Sequence, residues 1–182
     1  MSDAEPSHAL TRQLDLLLGG HGFNYYKVEN RARADDLLVR ARAAGALSTA
    51  VGMLSALHGA YRRHYIPPPS RENPFPPAEE SRRAQEILSL RDRLANLASL
   101  IRGMSAPTQD RIWRRFRQEL DLLERLLHAD SLLIDYADRV GERIAMLTPE
   151  IWRDEPARAE IEVMVSEMER SARDRQALLQ LL

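Results

Sequence analysis

Apolar residues recur three and four positions apart along most of the chain, and no stretch sustains an apolar–polar alternation. The first pattern lines one face of a helix, whereas the second would mark a half-buried strand. The spacing predicts a short helix over residues 7–18, with Leu10, Leu14, Leu17 and Leu18 on one face and Gly19 and Gly20 ending it. A second helix starts at Asn30, a good N-cap, and runs to Tyr65, where Ile66-Pro67-Pro68-Pro69 stops it. A third spans 78–104, with Ile87, Leu90, Leu94, Leu97, Ile101 and Met104 in strict three-four register. A fourth spans 107–147 and carries Trp113, Phe116, Leu120, Leu123, Leu127, Ile134, Ala137 and Ile144, with Asp130 in the same seam as a kink or a buried polar contact. Thr148-Pro149-Glu150 opens a short turn to Arg153. The last helix runs from Glu155 to the C-terminus, with Ile161, Met164, Val165, Met168, Leu178 and Leu182 inward.

These elements predict an all-α protein over residues 1–182. It is a single domain of four long helices plus a short N-terminal helix, packed up and down and antiparallel with coiled-coil-like seams. Long heptad seams seldom bury all their apolar surface within one small monomer. A homodimer or a larger protein complex is therefore expected.

The second helix organises the rest. Ala43 to Tyr61 carries no formal charge apart from the titratable His58, and arginines flank both ends at Arg40, Arg42, Arg62 and Arg63. Gly45, Gly52 and Gly59 recur every seven residues, each preceded four positions earlier by Ala41, Ser48 or Ser55. Glycine costs a helix interior about 1 kcal/mol relative to alanine. Three in register predict a compensating close approach of another backbone, within the bundle or across a two-fold axis. Leu47, Val51, Leu54, Leu57 and Tyr61 hold the opposite face, so the helix is expected to be central and nearly all buried. About twenty apolar residues span a bilayer. This stretch approaches that length, but Ala, Gly, Ser and Thr dominate it rather than Leu, Ile and Phe, which favours a core helix over a membrane span.

Composition removes several function classes. The 26 basic and 27 acidic residues leave a net charge of −1, with no global pull towards nucleic acid or an anionic membrane. Cysteine is absent, which excludes disulfides and thiolate chemistry and fits a cytoplasmic protein. The opening MSDAEPSHAL is acidic and has no apolar run of a signal peptide. Phosphate-loop, dinucleotide, nucleophile-elbow, His-Glu-x-x-His and Glu-x-x-His patterns are all missing, so no cofactor and no metal is expected. Glu124 and His128 share a helical face, an arrangement that is ordinarily a surface pair.

Two stretches carry the remaining candidate chemistry. The connection at 19–30, GGHGFNYYKVEN, concentrates glycine with aromatic and polar side chains. Arg111, Arg114, Arg115 and Arg117 crowd the first turns of the fourth helix, where cations oppose the helix dipole and so suggest a negative partner. Up-and-down packing brings both stretches to one pole. It defines a candidate anion-binding set of His21, Tyr25, Tyr26, Lys27, Arg31, Arg111, Arg114 and Arg115, with Arg33, Arg102 and Arg117 nearby and Glu29, Asp35, Asp36 and Asp110 as countercharges. The proline-rich connector 66–77 holds six of the ten prolines and reads first as a stiff link, with Asn73-Pro74-Phe75 as a thinkable recognition motif. The leading expectation is a non-enzymatic protein–protein interaction or assembly protein. The alternatives are a binder of a small anion at the arginine pole and an enzyme using His21, Tyr25 or Tyr26.

Overall fold

The computed structural model describes residues 28–71, 74–104 and 120–180, with side chains at 35–71, 74–104 and 125–178. Every regular element in these residues is helical, and no strand occurs among them. The helices are α1 (Val28–Tyr65), α2 (Ala78–Gly103), α3 (Leu120–Ala145), α4 (Pro149–Trp152) and α5 (Glu155–Gln180). The predicted helix at 7–18 and the 19–30 loop, up to residue 27, lie outside the described residues.

Local sequence explains the boundaries. α1 ends at Tyr65 because Pro67 disfavours helical backbone at Ile66. Arg62, Arg63 and His64 in its last turn favour the negative end of the helix dipole. α2 opens with Glu79 and Glu80 and closes with Arg102, the same complementarity at both ends. α4 begins at Thr148, whose Oγ1 accepts from the Ile151 N–H at 3.3 Å, with Pro149 in the first helical position.

α1, 38 residues and about 57 Å long, packs closely along both α2 and α3. α5 packs on α3 and meets α2 at few points. Buried side chains from all four long helices, and Trp152 of α4, join one apolar cluster. On α2 every residue of the expected seam is buried, from Ile87 to Met104. Ile161, Val165, Met168 and Leu178 are buried on α5, and Met164 packs against the cluster.

Two expectations are corrected. Leu127 is 58% exposed, and α3 turns Leu126, Ala129, Leu133 and Val140 inward beside Ile134, Ala137 and Ile144. Asp130, in the same seam, makes its polar contact with Arg175 of α5. The second correction concerns α1, which is central but buried on one face only. Ala43, Ala44, Leu47, Ala50, Leu54 and Tyr61 are fully buried, whereas Gly45 and Gly52 are exposed and Gly59 half-buried. A Cβ at Gly45 or Gly52 would meet nothing within 4 Å, and one at Gly59 would meet Arg63 Nη1 at 3.4 Å. Among the described residues, no backbone closely approaches these glycines. The fully buried small residues are Ala43, Ala44 and Ala50 on the other side of α1.

Candidate functional site

Asp36 and Arg40 of α1 meet the end of α2, Asp130 in the first half of α3 and Arg175 of α5 in a largely buried ionic cluster. Arg175, fully buried on α5, donates from Nε to Asp130 Oδ1 at 2.5 Å and from Nη2 to Asp36 Oδ1 at 2.8 Å. Arg40 donates from Nη2 to the other Asp36 oxygen at 2.7 Å. Its Nη1 reaches the carbonyls of Met104 at 2.6 Å and Arg102 at 3.2 Å, which satisfies backbone acceptors left open at the end of α2. Two arginines and two aspartates sum to zero charge, the condition under which such groups tolerate burial. Burial, the largest effect, raises the Asp130 carboxyl above the usual carboxylate range against the pull of Arg175. The same burial works to lower the Arg175 pKa, but the Asp130 and Asp36 carboxylates outweigh it and the pKa rises. Arg40 Nε, Arg175 Nη1 and Ser171 Oγ are buried without a hydrogen-bond partner among the described residues.

Of the expected anion-binding residues, His21, Tyr25, Tyr26, Lys27, Arg111, Arg114 and Arg115 lie outside the described residues, as does the side chain of Arg31. Arg102 turns back onto α1, donating to Ser48 Oγ and to the Ala44 carbonyl at 3.3 Å. Asp36, expected as a countercharge to surface arginines, is engaged by Arg40 and Arg175 instead.

At the opposite end, α4 clamps α1, α2 and α5. Trp152 is buried and its Nε1 donates to the Arg83 carbonyl at 3.0 Å, while Arg158 Nη1 donates to the Trp152 carbonyl at 2.7 Å. Tyr61 donates its hydroxyl to Glu80, and Arg153 lies over the Tyr65 ring at 4.7 Å and 3.2 Å from Glu80. Burial, then the Glu80 hydrogen bond, pushes the Tyr61 phenol up to about 12, so it remains a donor at neutral pH. A cleft of about 520 Å³ opens beside Trp152 between α2 and α5. Its arginines each meet a glutamate: Arg82 meets Glu79 at 2.7 Å, Arg83 meets Glu79 at 3.0 Å, and Arg158 meets Glu86 at 3.5 Å. The first two pairs lie within α2 and the third joins α5 to α2, and the balanced arginines and glutamates of the lining leave no net charge to draw a ligand.

The third feature is the outer face of α1. Ala41, Gly45, Ser48, Thr49, Gly52, Met53, Ser55 and Ala56 are exposed, and none is charged. The hydroxyls of Ser48, Thr49 and Ser55 donate back to the carbonyls of Ala44, Gly45 and Val51 at 2.8, 3.2 and 2.9 Å. That back-bonding leaves a face with little unmet polarity. Among the described residues, no group of three or more His, Asp or Glu side chains is placed to hold a metal ion. Comparison with known protein families, with curated proteins and with solved structures finds no match.

Proposed function

We propose that the protein is a non-enzymatic assembly protein, a homodimer in the first instance, that offers the outer face of α1 to another helix. The observation that carries this reading is the exposed, uncharged middle of α1 in a chain that is 29% charged. Exposed faces of helices are ordinarily polar, and a stretch without charged residues of its own, met by Arg102 at Ser48, suggests a partner. The glycines lower the helix propensity of α1, and among the described residues nothing approaches Gly45 or Gly52 to repay that loss, which supports an external backbone as the close neighbour.

The scaffold that we propose for this face is an antiparallel up-and-down bundle. Supporting it, Arg40 near the start of α1 bonds the end of α2, and Tyr61 near its end bonds Glu80 at the start of α2. Asp130 in the first half of α3 meets Arg175 near the end of α5, and Arg143 near the end of α3 meets Glu160 near the start of α5 at 2.6 Å. We place the protein in the cytoplasm, with nucleic acid and membrane disfavoured as partners. Asp35–Tyr65 is long and apolar enough to cross a membrane. Its outer face, however, is built from small residues and hydroxyls, which suit helix contact better than lipid contact.

Sedimentation velocity over a micromolar to hundred-micromolar range tests the reading. The expected result is a dimer that Gly52→Leu converts to monomer without loss of helicity. A wild-type chain that stays monomeric throughout removes the homodimer, and a dimer indifferent to Gly52→Leu moves the interface elsewhere. The second reading, a small-anion site at the start of α1, draws support from the partnerless N–H groups of Arg40 and Arg175. It requires that inorganic phosphate raise the Tm of the wild type more than that of Arg40→Met.

A further inference from the structure

The connector between α1 and α2 is longer than its span requires. Tyr61 in α1 hydrogen-bonds Glu80 in α2, so the two helix ends lie side by side. Packed helices are commonly joined by about 2–8 residues. Here the chain takes residues 66–77 to make the same turn, and six of them are proline. The extra length folds into no helix or strand of its own among the described residues. Pro67, Pro68 and Pro69 are exposed, and so are Pro74, Phe75, Pro76 and Pro77. Phe75 is 84% exposed, the most exposed large apolar side chain among the described residues. Pro77 sits at φ −56°, ψ 122°, in the polyproline region of the backbone map.

We propose that Pro67–Pro69 and Pro74–Pro77 are a recognition segment, bound in extended form by a partner domain whose groove is lined with aromatic side chains and edged with carboxylates. Proline chemistry narrows the partner. Missing N–H groups make the segment a poor addition to a sheet edge, which excludes strand-pairing readers. A pre-set φ leaves little conformational freedom to lose on binding, which suits grooves that accept proline rings and a phenyl ring between aromatic walls. Charge sets the rim. Arg62, Arg63 and His64 in the last turn of α1 are exposed beside the segment, and Arg71 is exposed within it. The α1 face plays no part in this contact, so the two surfaces are separable.

The test titrates the full-length protein against purified SH3-, WW- and EVH1-type domains as probes of proline-reading grooves. At least one is expected to bind with a micromolar Kd, and Phe75→Ser or the pair Pro68→Ser and Pro69→Ser should weaken it about tenfold. Gly52→Leu should leave that affinity unchanged, and Phe75→Ser should leave the Tm unchanged. Absence of binding to every probe overturns the proposal, as does binding that survives the substitutions. A Tm lowered by Phe75→Ser would make the phenyl ring a structural residue. Dissociation of a dimer by Phe75→Ser would make the segment a contact between copies, and either result also overturns the proposal.

Discussion

Replacing Gly45 and Gly52 together by alanine should stabilise the monomer. Each site is helical and exposed, and an added Cβ would touch nothing within 4 Å. Alanine is favoured over glycine in a helix interior by about 1 kcal/mol, partly because it restricts the unfolded chain. The sites are two turns apart, roughly 10 Å along the axis, so the two gains should add to about 2 kcal/mol. In a chain of this size about 1 kcal/mol moves the Tm by roughly 2–4 °C, so the pair should raise it by roughly 4–8 °C. Urea unfolding followed by helical circular dichroism measures the free energy directly, at protein concentrations low enough to dissociate a dimer. Gly59→Ala is an internal comparison: its Cβ would lie 3.4 Å from the mobile Arg63 guanidinium, so a smaller gain is expected. A dilute double variant that loses stability would refute the reasoning, because the glycines would then be needed inside the chain. A gain at low concentration that shrinks or reverses at high concentration would place the face in a contact between copies.

Two further outcomes follow from the ionic groups. Arg175→Met should leave Asp36 and Asp130 buried without their shared partner and cost about 3–5 kcal/mol in urea unfolding. A loss below about 1 kcal/mol would show that the cluster hydrates freely and carries little stability. His58 is held below its usual pKa by burial, then by Arg62 and Arg91, so the unfolded chain takes up that proton more readily than the folded one. Its contribution to stability is present above the unfolded pKa of about 6.5 and is lost as pH falls through the folded pKa. His58→Gln should therefore show a shallower fall in Tm on acidification from neutrality than wild type. An identical pH profile would contradict the assignment.

The helices were legible in the sequence because proline, glycine and three-four spacing act locally. Ile66-Pro67 ends α1 and Thr148-Pro149 starts α4 where those residues demand it. The facing of α1 was not legible. Ala43, Ala44 and Ala50 lie on the side opposite Gly45 and Gly52, yet all are small and uncharged, so the pattern of small residues alone cannot choose which side packs. The structure selects Ala43, Ala44 and Ala50, which keep a methyl group to bury while still admitting neighbouring helices. Leu127 was misplaced for a related reason. Adjacent leucines at 126 and 127 both fit a helical seam, and spacing alone does not choose between them; the structure buries Leu126 and exposes Leu127.

Asp130 was visible as a charged residue in an apolar seam, and the same test identifies its partners. Ile161, Val165, Met168 and Ala172 continue in three-four steps to Arg175, while Asp36 and Arg40 precede Ala43 and Leu47 on the buried face of α1. Four charged seam positions with zero net charge imply mutual pairing, because separate burial of any one would cost several kcal/mol. Their pairing also restricts helix register. Sliding α5 by one turn, about 5.4 Å, would carry Arg175 out of reach of both carboxylates and leave two buried anions to Arg40 alone. The apolar seam punishes the same slip far less, since exchanging Val165, Met168 or Ala172 for one another changes volume without stranding a charge. The apolar positions thus drive the helices together, and the charged cluster selects which turn of α5 faces the start of α1. An Asp130→Leu and Arg175→Leu pair that kept full stability but broadened the amide resonances of α5 would express that division of labour. A pair that broadened nothing would assign the register to the apolar seam alone.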